Sequence, residues 1–157
     1  MAPAPFIGSL FDRWRNRIFP LTRRTFRTPT PTDPRHRLGR QGEELAARHL
    51  RRCGYKILYR RFRETGGEID LVCRQADTLV FVEVKTRASL AHGRPAEAVD
   101  AAKERLIIRG ALAWLRLLDR PEIIFRFDIV EVLLAPGGQP EFAVIQNAFT
   151  LPQSYIY

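Results

Sequence analysis

Four charged residues interrupt two apolar segments that a short turn separates, and their types and spacing suit metal chemistry. Glu68 and Asp70 stand two residues apart in GEIDLVC, and Glu83 and Lys85 have the same spacing in LVFVEVKTR. Because carboxylate oxygens are the ligands that Mg²⁺ prefers, two such acids brought together would bind a divalent cation. A lysine on the same side would be close enough to hold a water or a phosphate oxygen.

The two segments predict a β-hairpin, and its register brings the acids together. With the turn over residues 75–78, one face is apolar and pairs Cys73 with Val80, Leu71 with Val82, and Ile69 with Val84. On the other face Asp70 lies opposite Glu83, and Glu68 lies opposite Lys85. Like charges directly opposite destabilise a sheet, and a cation bound by Asp70, Glu83 and the backbone carbonyl of Val84 would compensate. The alternative is a half-exposed hairpin with a plain Glu68–Lys85 ion pair.

An acid near the start of a predicted helix could join these carboxylates. In GRQGEELAARHL, Glu43 shares a helix face with Ala46 and Leu50, so its carboxylate would reach the sheet beneath the helix. Glu44 points about 100° away and is expected in solvent beside Arg48. The alternative for Glu43 is an ordinary acid in the first turn of a helix, where the helix dipole favours it.

The elements that would position these residues follow one another in the order α-β-β-β-α-β-β. The pattern predicts a helix over 40–53, strands over 55–62, 68–74 and 79–86, a helix over 95–118, and strands over 123–134 and 141–146. An antiparallel meander followed by a helical crossover implies an α/β fold with a mixed sheet and helices packed on it.

The charge of the chain predicts an anionic partner and a basic extension. The net charge is +9 and the pI is near 10.5, which favours nucleic acid first and acidic lipid second. Residues 1–37 hold eight arginines against two aspartates, a net of +6, and six of the eleven prolines. We therefore predict a flexible extension over 1–37 and a folded domain over 38–157. Within the extension, FIGSLFDRWRNRIF has the apolar spacing of a short amphipathic helix, although upstream sequence without a role is the alternative.

Composition also excludes several classes of protein. No apolar run approaches the roughly 18 residues of an integral membrane segment, and no secretory signal is recognised. Cys53 and Cys73 form neither a disulfide framework nor a CxxC zinc motif. A reducing cytoplasm is therefore the expected location.

Together these motifs resemble the YraN family of small bacterial proteins. The matching stretches, within Leu38–Phe149, are G-x-x-G-E at Gly39–Glu43, G-E-I-D at Gly67–Asp70, F-V-E-V-K-T-R at Phe81–Arg87, A-V-x-x-x-K at Ala98–Lys103 and R-F-D at Arg126–Asp128. The family is similar to PD-(D/E)XK nucleases and to archaeal Holliday-junction resolvases. The resemblance implies a restriction-endonuclease-like αβββαββ core with a mixed central sheet.

The resemblance also implies a function, which is metal-dependent hydrolysis of phosphodiester bonds in DNA, including branched or structured DNA. Asp70, Glu83 and Lys85 would be the catalytic residues, with Glu43 as an additional acid and Mg²⁺ or Mn²⁺ as the cofactor. The residues expected to contact nucleic-acid phosphates are Arg60, Arg61, Arg63, Arg87 and Lys103. For Lys103 the alternative is a lysine that extends from a packed helix. Asp128 is expected to form an ion pair with a neighbouring arginine, and Trp114 to lie in the core.

Two other classes of function stay open at this point. One is a nucleic-acid-binding protein that has the nuclease-like fold and does not hydrolyse. The other is a scaffold or adaptor protein in which the acidic cluster serves only stability. A homodimer is expected if two strands are cut symmetrically.

Overall fold

A computed structural model of the protein describes residues 33–64, 66–89, 100–119 and 122–153, together with Tyr155. Its elements are α1 (Pro34–Arg52), β1 (Lys56–Glu64), β2 (Gly67–Gln75), β3 (Thr78–Arg87), α2 (Ala101–Leu117), β4 (Phe125–Leu133) and β5 (Glu141–Phe149). This order confirms the predicted α-β-β-β-α-β-β arrangement. The amphipathic segment predicted near the amino terminus lies outside the described residues. Among the described helices, none is long and apolar enough to cross a membrane.

The strands form one mixed sheet in chain order, β1-β2-β3-β4-β5. The pairs β1–β2, β2–β3 and β4–β5 are antiparallel, while β3 and β4 are parallel, with α2 in the connection between them. A parallel pair requires such a crossover, which explains why the long helix stands between these two strands in the chain. The predicted α/β class and mixed sheet are confirmed, and the arrangement is consistent with a restriction-endonuclease-like core.

Each face of the sheet is covered by its own apolar core. The α1-side core joins Ala46, Ala47 and Leu50 of the helix to sheet residues that include Leu71, Val80, Val82 and Val130. The α2-side core joins Ile107, Ile108 and Trp114 to Phe81, Phe127 and other residues. Trp114 is 1% exposed, as predicted for a core residue. Because the central strands are buried on both faces, a charged side chain within them must find a partner inside the protein.

Both helices begin where an aspartate caps them, and neither begins where the apolar pattern placed its start. Asp33 accepts a hydrogen bond from the backbone N of Arg35 at 2.8 Å, and Pro34 occupies the first turn, so α1 begins before the predicted residue 40. Its first turn therefore lies within the segment assigned to the extension. Asp100 has extended backbone and accepts from the backbone N of Lys103 at 2.8 Å, so α2 begins after the predicted residue 95.

The β2–β3 hairpin has the predicted register near its turn and departs from it at the other end. Cys73 pairs with Val80, and Leu71 pairs with Val82, as predicted. The pairing of the two strands ends there, so the predicted pairs of Asp70 with Glu83, of Ile69 with Val84 and of Glu68 with Lys85 do not form. The acids are therefore brought together by other contacts than those of a regular ladder.

An irregularity in β1 and β2 explains this departure. Arg61 has a φ of +54° and stands in β1 between the partners of Ile69 and Leu71. Ile69 packs with Phe62 in the α2-side core, whereas Leu71 lies in the α1-side core. The prediction that Ile69 continues the apolar face of Leu71 is therefore wrong, because the alternation of faces breaks at Asp70.

Candidate functional site

Glu43 is brought to the sheet by a glycine that lets α1 approach β3 closely. A Cβ atom on Gly42 would lie 1.8 Å from Thr86 Oγ1, so only glycine permits this packing distance. Glu43 follows immediately, and its side chain is 18% exposed. Its carboxylate accepts a hydrogen bond from Arg61 Nε at 2.5 Å, which links α1 to the irregular residue of β1. Glu43 thus lies at the end of the sheet where the hairpin stops pairing.

Asp70 is a buried carboxyl group that faces the backbone of β3. It is 7% exposed and accepts a hydrogen bond from the backbone N of Val84 at 2.9 Å. Burial, together with repulsion from Glu83 and a smaller repulsion from Glu43, raises the pKa of Asp70 to about 8. The metal-free protein therefore keeps Asp70 mostly protonated at neutral pH.

Glu83 is the most buried acid of the cluster, and its two oxygens have different surroundings. The residue is 3% exposed. Its Oε1 lies 3.0 Å from Lys85 Nζ and 3.1 Å from Lys103 Nζ. Its Oε2 is buried and has no hydrogen-bond partner within the described part of the chain. A buried carboxylate oxygen without a partner is costly, and such an atom is a natural ligand for a cation.

Glu68 holds Lys103 from the opposite side. The Lys103 ammonium contacts the Glu68 carboxylate, and Arg63 Nη1 lies 2.5 Å from the other Glu68 oxygen. Burial opposes ionisation of Glu68, but the hydrogen bond from Lys103 and the neighbouring cations hold its pKa below the ordinary value. Burial would lower the pKa of Lys103, but the charge of Glu83 and the bond to Glu68 raise it above the ordinary value. The alternative of a Glu68–Lys85 ion pair is thus replaced by Glu68–Lys103 and Glu83–Lys85.

The arginines of β1 are paired with acids of this region. Arg60 lies 2.6 Å from Glu44, so Glu44 has an ion-pair partner on β1 as well as the expected exposure. The pairs of Arg61 with Glu43 and of Arg63 with Glu68 complete the series. Arg87 ends β3, where its backbone carbonyl accepts a hydrogen bond from the backbone N of Leu134 at 2.8 Å. Contacts of these arginines with phosphates stay a prediction.

The chemistry of these groups fits a magnesium-type ion bound by few protein ligands. In residues 33–64, 66–89, 100–119, 122–153 and 155, no three acidic, histidine or cysteine side chains are grouped so as to hold a metal ion. Asp70 and Glu83 nevertheless provide two buried carboxyl groups. The Val84 carbonyl points to the same side of β3 as its N–H, which is directed at Asp70. Mg²⁺ is commonly bound by one or two carboxylates, with waters and substrate phosphates completing its shell.

A second polar cluster surrounds Asp128 on β4. Asp128 is 1% exposed and lies 2.8 Å from Arg126 Nε, which confirms the predicted ion pair. Its carboxylate also accepts hydrogen bonds from Tyr55 OH at 3.1 Å and from the backbone N of Asn147 at 3.0 Å. Asp128 is the register partner of Val82, which belongs to the α1-side core. The Asp128 cluster therefore lies on the α1 side of the sheet, away from the Glu83 side chain.

Two acids of this region were not assigned a role from the sequence. For Glu68 the hairpin pattern predicts only a pairing with Lys85, since nothing in that pattern indicates the lysine of a distant helix. Glu131 is 8% exposed and is the register partner of Lys85 on β4. A signal for it existed in the sequence, because an acid within the apolar run IVEVLL repeats the pattern of FVEVK.

Comparison with known proteins places these residues in a shared region. A model of the uncharacterised protein family UPF0102 matches residues 42–132, a range that contains the acidic cluster and both lysines. The UPF0102 protein of Nocardia farcinica is 51% identical over 112 residues, which cover 71% of this chain and 88% of that protein. The UPF0102 protein of Rhodococcus opacus is 46% identical, and the match covers 71% of this chain and 95% of that protein. The UPF0102 protein of Trichlorobacter lovleyi is 46% identical, and the match covers 73% of this chain and 91% of that protein.

Proposed function

The chain belongs to the uncharacterised protein family UPF0102, the YraN family that its motifs resemble, and we propose that it is a metal-dependent nuclease acting on DNA. The observation that carries this proposal is the pair of buried acids Asp70 and Glu83 with the Lys85 ammonium 3.0 Å from Glu83. Burial of such groups is unfavourable for stability, and it is typical of sites that tune titratable groups for chemistry.

The proposed cofactor is Mg²⁺ or Mn²⁺, held by Asp70, Glu83 and the Val84 carbonyl. The Glu83 Oε2 atom without a hydrogen-bond partner in the described chain and the raised pKa of Asp70 support it, since a cation would stabilise both carboxylates. When bound, the ion supplies Lewis acidity toward a phosphoryl oxygen and makes a nearby water more acidic.

The remaining residues of the site would act on the water and on the substrate. Lys85 would orient the attacking water or stabilise the charge that develops on the phosphate. Glu43, which Arg61 holds at the edge of the site, would contribute through a bridging water. The described part of β1 adds Arg60 and Arg63 as phosphate contacts, which would give affinity without sequence preference. Each would first have to exchange its acidic partner for a phosphate.

The charge of the chain and the family resemblance support the proposed substrate class. The net charge of +9 supports a polyanion, and we propose DNA, including branched or structured forms, met in the cytoplasm. A homodimer would bring two such sites to the two strands of a duplex.

A cleavage assay tests the proposal. Labelled branched, single-stranded and duplex DNA are incubated with the full chain in Mg²⁺ or Mn²⁺, with EDTA as the metal-free control. Lys85→Ala should reduce cleavage by roughly 10²-fold or more even at a Mg²⁺ or Mn²⁺ concentration that saturates the variant, because the lysine acts on the water and on the developing charge and is not itself a metal ligand. Lys56→Ala removes an exposed lysine at the start of β1 and should leave cleavage unchanged. Equal cleavage by wild type and Lys85→Ala would refute this assignment of the site.

A non-catalytic DNA-binding protein is the second candidate. Two observations favour it: the described residues hold no group of three metal-binding side chains, and both lysines already contact Glu83 Oε1. It predicts metal-dependent binding of branched DNA without cleavage. A scaffold would show neither property.

A further inference from the structure

A chain of alternating charges runs through the site and joins four elements of the fold. Arg63 on β1 lies 2.5 Å from Glu68 on β2. The Glu68 carboxylate contacts the ammonium of Lys103 on α2. Lys103 in turn lies 3.1 Å from Glu83 Oε1 on β3. Each link connects two different elements, so the relative positions of these charged groups depend on how β1, β2, β3 and α2 pack together.

This chain ends on one oxygen of Glu83. Lys85 and Lys103 both contact Oε1, whereas the buried Oε2 makes no hydrogen bond to any residue that the structure describes. The terminal torsion of a glutamate is broad, so the carboxylate would rotate readily without such contacts. Two ammonium groups on the same oxygen select one orientation of it.

We propose that Glu68 and Lys103 are positioning residues, which orient the Glu83 carboxylate so that Oε2 is presented to the divalent cation. This inference rests on the proposed function and deepens it. It gives Lys103 a role inside the acidic cluster, in place of the phosphate contact expected from the sequence. It gives Glu68, which has no ligand role in the proposed site, the task of holding the ammonium against Glu83.

Charge alone predicts a different outcome for Lys103, and this makes the inference testable. Removing a positive charge beside a cation site would strengthen cation binding, because like charges repel. Removing the negative charge of Glu68 would weaken it. The positioning role predicts that both changes weaken binding, because each one removes or loosens one of the two ammonium contacts that orient the Glu83 carboxylate. Lys103→Met therefore separates the two explanations.

The experiment measures Mn²⁺ affinity of the full chain by isothermal titration calorimetry. We expect Lys103→Met and Glu68→Gln each to bind Mn²⁺ roughly 10-fold more weakly, the typical cost of losing a group that orients a metal ligand. The double variant should be no weaker than the worse single variant, because both act through one chain of contacts. The matched controls are Lys56→Met and Glu64→Gln, which remove exposed charges of β1 and should bind as wild type does.

Three results would overturn the inference. If Lys103→Met binds Mn²⁺ as tightly as wild type or more tightly, the positioning role is refuted while the metal site stands. If wild type binds no Mn²⁺, the proposed metal site fails and the inference fails with it. If Lys103→Met does not fold, Glu68→Asp decides, because it keeps the charge and shortens the reach to Lys103. Wild-type affinity in Glu68→Asp refutes the inference, and weakened affinity supports it.

Discussion

Asp70 should make the stability of the metal-free protein fall as pH rises. Its pKa is about 8 in the folded protein because of burial and the neighbouring Glu83, whereas the unfolded chain releases this proton near the ordinary value of 3.8. Between these two values the folded state binds more protons than the unfolded state. The free energy of unfolding must then decrease with pH across that window. Below about pH 3.8 the stability contributed by protonated Asp70 is fully present, and this stability is lost as the pH rises through about 8.

The size of the effect follows from the size of the shift. One unit of pKa corresponds to about 1.4 kcal/mol, so the slope is at most about 1.4 kcal/mol per pH unit. From pH 5 to pH 8 wild type should lose up to about 4 kcal/mol from this residue. Asp70→Asn imitates the protonated carboxyl group, and its side-chain oxygen can still accept the hydrogen bond from Val84. The variant should lack the slope and be more stable than wild type at pH 8.

Urea denaturation in EDTA at pH 5, 6, 7, 8 and 9 measures both quantities. Asp77→Asn is the matched control, because it removes an exposed aspartate from the turn of the same hairpin. It should retain the wild-type slope. The same pH dependence of stability in wild type and in Asp70→Asn would show that Asp70 does not cause the slope. Repeating the series with saturating Mn²⁺ should stabilise wild type, by about 2.7 kcal/mol at 100 times the dissociation constant, and should leave Asp70→Asn unchanged.

Three further predictions concern packing, thiol reactivity and the extension. Gly42→Ala should lower the free energy of unfolding by about 1–3 kcal/mol, because its Cβ would overlap a threonine of β3. Gly39→Ala is the control and should stabilise α1, because open space surrounds that position. Equal melting temperatures of the two variants would contradict this. At pH 8 the exposed Cys53 should react with a thiol reagent. Cys73, whose pKa is raised to about 12 by burial, should react only in denaturant. Two fast-reacting thiols in the native protein would refute this difference. Deleting residues 1–32, which keeps the cap of α1, should leave a folded domain that binds DNA more weakly, mainly at low salt; an unfolded product would refute the domain boundary.

The element order and the hairpin register near its turn could be predicted because they depend on local periodicity. The alternation of apolar residues across Leu71 and Val82 specifies one register, since a shift by one residue would break the apolar face. The same pattern predicted Asp70, Glu83 and Lys85 as neighbours. They are neighbours in the structure, although Asp70 faces the backbone of Val84 instead of pairing with Glu83.

The rest depends on features that periodicity does not contain. The left-handed backbone of Arg61 breaks the alternation, and the residue type gives no warning, because this conformation is uncommon for arginine. The contact of Lys103 with Glu68 and Glu83 depends on where α2 crosses the sheet, which only the packed structure determines. The start of α1 could have been predicted from the sequence, since an aspartate followed by proline at residues 33–34 is a capping signal.

The glycine contact between α1 and β3 has a consequence for how the site can move. At Gly42 the helix lies so close to Thr86 that not even a methyl group fits between them, and close-packed surfaces of this kind do not slide past each other gradually. Thr86 directly follows Lys85, and Gly42 directly precedes Glu43. These two charged residues should therefore behave as one rigid body on every timescale short of unfolding. Hydrogen exchange at the backbone amides of residues 42–43 and 85–86 should accordingly be slow and concerted. The side chains that change conformation when a polyanion binds should then be the long ones of β1 and α2.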